Sequence, residues 1–447
     1  MPDGRWVAGT AREAAQGVAG GLLGGVLASV FVVSVTTLIK QTLAWVMRQD
    51  AWVMVAAPFA GIAVAVLVLN LVAHGQAVQH IASDAAPPRR FSAWLAFPAS
   101  AVRADLTADV VNNAGSEENF PWRLAPIRAA AIFATVGLGA PMGTESPAAH
   151  LGVAAGSALE RFGGRWRGLA RSAGVAGGAA GVAALMGLPL VGLAFMLELG
   201  RRSRAPLTLA RVLAASTGAL VGWGVNVVFN LNLIRLIVPA IVPGGLLRAL
   251  ATAALVGALS GAFGSVTGSA IYKARSWSAD PVVKFLTGGV VLLVCVLVIG
   301  LLATPAAAIG PGASAVSWAE TAKVSAWTLL AVVALRAAAT TAAVMAGGCG
   351  GLFVPLLSIG DLAGRALAPV LGVSSDLAAA AGSAGSIAGG YRLPLTAIAM
   401  VLTVGGPMPA RLTCVAAVGF ATASGVAAAY LLDRYVMNRG RKVADSH

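Results

Sequence analysis

The 447-residue chain is 58% hydrophobic and only 11% charged, and its mean hydropathy is +0.84. Soluble domains carry about 25% charged residues, so this composition excludes an ordinary soluble domain and indicates a membrane protein. The formal charge of +14 lies in short basic clusters beside apolar stretches, as is typical of cytoplasmic helix ends, and the absence of a soluble basic domain excludes a nucleic-acid partner.

Arg5 and Arg12 precede a stretch without charged residues, 14–39. Because this stretch has no clear cleavage site, it predicts a retained membrane segment. A bilayer crossing takes about 20 apolar residues. Several later stretches without charge are also long enough: 51–83, 172–197, 212–234, 249–272, 285–319 and 337–360. The short segments of alternating polarity that are typical of a β-barrel are not visible. The sequence therefore predicts an all-α polytopic membrane protein.

Two interruptions divide the apolar sequence. Residues 84–128 are polar and predict an extramembrane excursion between early helices, with a short amphipathic helix. A weaker boundary near 235–248 separates two halves, expected at about 20–225 and 240–435. We interpret residues 1–447 as a single membrane domain. Only twelve residues follow Tyr435, so no C-terminal regulatory domain is expected.

One pattern occurs twice, at residues 143–160 and 351–368. At a constant offset of 208, glycines and a proline recur in pairs: Gly143 and Gly351, Pro147 and Pro355, Gly152 and Gly360, Gly156 and Gly364. Related halves with broken helices indicate inverted-topology repeats and a transport site where the halves meet. A helix N-terminus exposed inside the protein carries a partial positive charge and unpaired N–H groups, so its natural ligand is an anion.

Glu145 is the only charged residue from Ala129 to Leu159. A carboxylate in apolar membrane sequence is by default a candidate functional group. Its place at a helix start predicts that it competes with a substrate anion and that protonation releases the site. A helix-capping glutamate without a transport role is the alternative.

The motifs G-T-E-S-P at 143–147 and G-G-L-F-V-P at 350–355 resemble signatures of the CLC family of chloride channels and proton/chloride antiporters. The runs at 188–198 and 391–404 are similar to family stretches in the two halves. The resemblance covers roughly residues 20–435. It implies a CLC-like fold of two inverted halves with re-entrant helices, and a homodimer whose subunits each have a pathway.

The resemblance also implies the roles of individual residues. Glu145 matches the gating glutamate. Seven backbone or side-chain positions are implied at the anion: Gly143, Thr144, Gly351, Leu352, Phe353, Val354 and Tyr430. Tyr430 follows the Thr413–Cys414 pair by seventeen residues, as the family's anion-coordinating tyrosine does, and Tyr435 is the fallback. An interfacial anchor is the other interpretation of Tyr430.

Two departures from the family pattern bear on chemistry. His74 stands before Gly75 where the family's first signature supplies a serine, so His74 and Gly75 are candidate anion contacts of altered selectivity. Glu198 takes the first acidic position after the first-half run, whereas Leu199 takes the position usually credited with proton transfer. Glu198 is thus a candidate for a proton path, and the sequence leaves channel and exchanger open.

We therefore expect CLC-type transport of chloride or a similar small anion, gated by a protonatable glutamate. A proton-coupled antiporter, or an ion-coupled solute transporter of a different fold, is the alternative. The sequence lacks H-E-x-x-H and an intramembrane G-x-S-x-G, so an enzyme is not expected. The three distant cysteines suggest neither a metal site nor a disulfide, and no cofactor is expected. The expected location is a bacterial inner membrane, as a multi-pass protein in the lipid bilayer.

Overall fold

The computed structural model describes residues 4–82, 106–115, 120–231, 245–322, 324–403 and 412–444. Within them, side chains are described at 11–70, 106–111, 120–164, 169–231, 245–322, 324–401 and 414–435. Apart from one isolated bridge, these residues form helices and turns without strands. The predicted all-α class is confirmed.

The described part of the first half contains eight α-helices, whose bounds are α1 Gly4–Val46, α2 Ala51–Ala82, α3 Leu106–Gly115, α4 Ala125–Gly137, α5 Glu145–Ser157, α6 Gly164–Met186, α7 Pro189–Arg202 and α8 Leu209–Phe229. Among the described residues of the second half there are a further eight: α9 Leu246–Ser276, α10 Pro281–Leu302, α11 Ala313–Thr321, α12 Ala326–Met345, α13 Phe353–Leu371, α14 Ser375–Gly390, α15 Pro394–Thr403 and α16 Leu412–Ala444. A single helical turn, Pro305–Ala308, precedes α11. Within the described residues, nine helices are long and apolar enough to cross a membrane.

Helix packing repeats between the halves. In the first half α6 packs against α1, α5 and α8, and in the second half α14 packs against α9, α13 and α16. Likewise α2 packs on α4, and α10 packs on α12. The repeat in sequence therefore corresponds to a repeat in helix arrangement. We propose that the halves divide within residues 232–244, which lie outside the described residues.

Glycines make the closest of these helix contacts. A Cβ atom placed on Gly152 of α5 would lie 2.1 Å from the carbonyl oxygen of Gly177 on α6. The equivalent contact in the second half joins Gly360 of α13 to Gly382 of α14, at 2.3 Å. Small residues let membrane helices approach closely, so the glycine spacing in the sequence serves helix packing.

The polar segment 84–128 is only partly described, and its described part does not leave the protein body. Leu106 and Val110 of α3 are buried where α3 packs against α5 and α7, and Arg128 of α4 is 1% exposed. These residues pack against helices of the first half, where Asp109 pairs with Arg128, and the expected extramembrane excursion stays a prediction. Residues 83–105 and 116–119 lie outside the described part.

Candidate functional site

The two repeated motifs meet through their backbones. The N–H of Gly143 donates to the carbonyl of Gly351 at 2.7 Å, and the N–H of Gly351 donates to the carbonyl of Gly143 at 2.7 Å. Each glycine lies two residues before a helix, since α5 begins at Glu145 and α13 begins at Phe353. Two helix N-termini with unpaired N–H groups therefore converge at one buried point.

Each loop is also braced by the other half. Thr135 of α4 accepts a hydrogen bond from the N–H of Cys349 at 3.1 Å. Thr340 of α12 donates its hydroxyl hydrogen to the carbonyl of Pro141 at 3.0 Å. Because each loop is held by a helix of the opposite half, the geometry of the junction depends on both halves at once.

Glu145 lies at this junction with only 3% of its surface exposed. Its Oε1 accepts from the Thr144 hydroxyl at 3.5 Å, and backbone N–H groups of Thr144, Glu145 and Val354 also interact with the carboxylate. Its Oε2 has no close hydrogen-bond partner in the described part of the chain. Since Val354 belongs to α13, the carboxylate contacts the helix N-terminus of the opposite half, where an anionic ligand would bind.

Phe353, the counterpart of Glu145 in the second half, is 1% exposed. Its ring meets Phe195 of α7 edge-on at 6.2 Å between centroids, and Tyr391 at 5.7 Å. The rings of Phe353, Phe195 and Tyr391 thus form an aromatic wall beside the helix N-termini at the junction.

Sequence reasoning did not identify a hydroxyl cluster next to this wall. The Tyr391 hydroxyl lies 2.6 Å from the Ser146 hydroxyl and 2.9 Å from the Thr107 hydroxyl. Ser146 directly follows Glu145, and Tyr391 follows α14. A usable signal existed, because Tyr391 begins the second-half run Y-R-L-P-L and Ser146 lies inside the first motif.

Tyr430 and its fallback Tyr435 are not brought to the junction by any described contact. Tyr430 of α16 is 65% exposed, and its fallback Tyr435 is 55% exposed. His74 and Gly75 lie within α2, and their side chains are outside the described residues. The buried tyrosine at the junction is Tyr391 instead.

Glu198 has a structural partner at each carboxylate oxygen. Oε1 accepts from the N–H of Leu395 at 2.8 Å, and Oε2 accepts from the N–H and hydroxyl of Thr396 at 2.8 and 2.6 Å. These donors form the start of α15, so Glu198 of α7 caps a helix of the second half. The contacts give Glu198 a capping role and add no support for a proton path.

Two cavities give access to the junction. The outer cavity has a volume of about 210 Å³ and is lined by Lys40, Thr144, Glu145 and Gly312 among others. The inner cavity has a volume of about 270 Å³ and a basic lining, with side chains on three helices: Arg128, Arg275 and Lys284. Leu106 and Gly350, the sequence neighbours of Thr107 and Gly351, also line the inner cavity.

The cavities lie at opposite ends of α10. Pro281 and Lys284, at its start, line the inner cavity, whereas Ile309, shortly after its end, lines the outer one. The 22 residues of α10 span roughly 33 Å, which matches the apolar core of a bilayer. The two cavities therefore approach the junction from opposite ends of α10.

Comparison with known proteins decides the family. Residues 91–428 match the family model described as voltage gated chloride channel. The chain belongs to this family. Its relatives include the H(+)/Cl(-) exchange transporter ClcA of Salmonella typhi, which is 28% identical over 317 residues, 66% of this chain and 65% of the relative. ClcA of Salmonella newport is 27% identical over the same extent. The match therefore spans 65% of the length of these curated relatives.

Solved structures show the same fold. A slow cyanobacterial Cl-/H+ antiporter matches with a TM-score of 0.65 at 19% identity, over 97% of this chain and 98% of that chain. A CLC-type fluoride/proton antiporter matches with a TM-score of 0.65 at 19% identity, over 93% and 94%. The family resemblance and the predicted fold are confirmed, and the alternative of a transporter of a different fold is set aside. The chain is a multi-pass integral membrane protein of this family.

Proposed function

We propose that the chain transports chloride or a similar small inorganic anion across the membrane, and that Glu145 is its protonatable gate. The observation that carries this proposal is the burial of the Glu145 carboxylate against Gly143, the glycine that bonds to Gly351 beside the N-terminus of α13. The carboxylate occupies a position that suits an anion, so carboxylate and anion would exclude one another. Protonation removes the negative charge and releases the position.

The proposed route runs from one cavity to the other through the junction. From the inner cavity, Arg275 and Lys284 attract anions, which then meet the hydroxyl cluster of Thr107, Ser146 and Tyr391. The backbone N–H groups of Leu352, Phe353 and Val354, with that of Thr144, surround the central position, whereas those of Gly143 and Gly351 bond the two loops to each other. Beyond Glu145 the route enters the outer cavity beside Lys40.

Proton-coupled exchange is the second candidate, and the channel mode is its alternative. The relatives are named exchange transporters and two matched structures are titled antiporters, which favours exchange. Leu199, at the position usually credited with proton transfer, is fully buried. An exchanging protein would then pass protons to Glu145 by a route without a carboxylate at that position.

We also propose a homodimer in a bacterial inner membrane. The bacterial relatives support the location. Both helix N-termini, both cavities and the hydroxyl cluster come from one chain, so each subunit would contain its own complete route.

The test is flux from liposomes that contain the purified protein, with Glu145→Gln as the variant. The wild type should release chloride, and its flux should rise several-fold as the pH falls, because the protonated side chain leaves the site. The amide cannot compete with the anion as a carboxylate does, so the variant should transport with a nearly flat pH profile and without proton movement. A Glu320→Gln variant, whose carboxylate lies in a separate ion-pair cluster, is the matched control.

The absence of flux for chloride, bromide, nitrate and fluoride in the wild type would overturn the proposed function. An unchanged pH profile in Glu145→Gln would make Glu145 a structural cap. Proton uptake that accompanies anion release in the wild type distinguishes the exchanger from the channel.

A further inference from the structure

The repeat offset of 208 also relates two buried arginines. Arg128 of α4 and Arg336 of α12 each precede a repeated motif by the same spacing, and each is 1% exposed. Arg336 is the only charged residue from Val324 to Gly360. A buried guanidinium in a membrane span is costly and is therefore a candidate functional group.

The two arginines differ in how their charge is balanced. Arg128 contacts the Asp109 carboxylate at 2.5 Å and His150 Nε2 at 2.9 Å. Arg336 donates to carbonyl oxygens, those of Ala307 at 2.6 Å and Gly310 at 2.9 Å. In the described part of the chain Arg336 makes no ion pair, and its Nε has no partner.

The unbalanced charge lies just behind the wall of the outer cavity. A Cβ atom on Gly312 would lie 3.2 Å from Arg336 Nη2 and 2.2 Å from Ser358 Oγ, and Gly312 lines the cavity together with Glu145. Gly310, which Arg336 holds by its carbonyl, donates its N–H to Gly139 at 2.8 Å in the loop that leads to Gly143. Arg336 thus approaches the junction from the second half.

Two carbonyl contacts do not require a charge, since the N–H groups of a neutral amide can also donate to carbonyl oxygens. Desolvation of a guanidinium without an ion pair costs several kcal/mol, so its retention implies a negative group that Arg336 does not contact directly. The nearby groups that meet this description are the Glu145 carboxylate and the anion that replaces it.

We infer that Arg336 is the fixed countercharge of the junction and holds it to one negative charge at a time, either the Glu145 carboxylate or a bound anion. This inference rests on the proposed function. Arg128, neutralised by Asp109, does not contribute an equivalent charge. The long-range attraction of Arg336 acts on anion affinity, whereas its hydrogen bonds position the loop at Gly310.

The test measures the concentration dependence of anion flux in liposomes for wild type, Arg336→Gln and Arg336→Lys. For a separation of about 10 Å and an effective dielectric constant of about 20, a unit charge changes affinity by roughly tenfold. Arg336→Gln should therefore raise the apparent KM for chloride by roughly tenfold with a smaller change in maximal flux, and Arg336→Lys should restore most of the affinity.

A second pair of variants keeps the guanidinium and its hydrogen bonds. Ser358→Asp places a carboxylate beside Arg336, as Asp109 lies beside Arg128, and should also raise KM. Ser358→Asn, which has the same shape as the aspartate variant but no charge, should not raise KM. Wild-type KM in both Arg336→Gln and Ser358→Asp, or a Lys variant as weak as the Gln variant, would overturn the inference. If Arg336→Gln does not fold, the Ser358 pair decides. Absence of wild-type flux would instead refute the proposed function.

Discussion

Tyr391 and Tyr430 are two candidates for the tyrosine that contacts the anion. A count along the sequence favours Tyr430, whereas the contacts in the folded chain favour Tyr391. Tyr430 was predicted because it follows Thr413 by seventeen residues, but α16 is continuous from Leu412 to Ala444. Seventeen residues along one helix cover roughly 26 Å, so Tyr430 lies far from Thr413. Tyr391 is buried and reaches Ser146 across 245 positions. No local pattern contains a contact between residues so distant in sequence.

The two tyrosines give a matched pair of variants. Tyr391→Phe should weaken chloride binding roughly tenfold, because a hydrogen bond to a charged group contributes about 1.5–3 kcal/mol. Tyr430→Phe should leave binding unchanged. Isothermal titration of each detergent-solubilised variant with chloride measures this difference. A loss of affinity in Tyr430→Phe alone would restore the prediction made from the sequence.

At the scale of helices, the breaks and close glycine contacts of the motifs could be predicted from the sequence, whereas individual contacts between side chains of different helices could not. The Gly and Pro positions of the motifs have a fixed local meaning, since they mark breaks before α5 and α13 and close contacts at Gly152 and Gly360. They also predicted the convergence of residues 143–147 and 351–355 that the structure shows. The burial of α3 was missed because its polar residues are paired by tertiary contacts, such as Asp109 with Arg128.

The crossing of α5 and α6 predicts a stability effect. Gly152→Val should destabilise the protein by about 1–3 kcal/mol, because its Cβ would lie 2.1 Å from the Gly177 carbonyl oxygen and overpacking costs this amount. Gly224→Ala on α8 meets no atom within 4 Å and should be neutral or slightly stabilising. Thermal unfolding in detergent, followed by tryptophan fluorescence, compares them. Equal melting temperatures for the two variants would contradict the packing argument.

At the scale of the whole molecule, contacts join the two halves at several separate places. The bonds between Gly143 and Gly351 and the hydrogen bonds of Thr135 and Thr340 lie at the junction. Glu198 of α7 caps α15 at a second place. The repeat in the sequence predicted that two halves share a site. It could not predict the bonds of Thr135, Thr340 and Glu198, because each of these joins chemically different residues of the two halves.

Glu198→Gln tests this cross-half cap. The amide accepts fewer of the three hydrogen bonds and loses the favourable charge at the α15 N-terminus, so the melting temperature should fall by an amount equivalent to about 1–3 kcal/mol. The ratio of protons to chloride in liposome flux should stay as in wild type. A changed ratio with unchanged melting temperature would instead assign Glu198 to a proton path. Asp433→Asn, on the more exposed pair with Arg392, is the control.

The reciprocal bond between Gly143 and Gly351 gives the junction two nearly equivalent sides, because inverted halves supply the same backbone groups from opposite directions. A site with such symmetry has no intrinsic front or back. The difference between Glu145 and Phe353 removes this equivalence. Glu145 lines the outer cavity, so under the proposed function the pH of the compartment on that side alone directly sets the protonation of the gate. A single side chain thus makes the two sides of a symmetric backbone site functionally different.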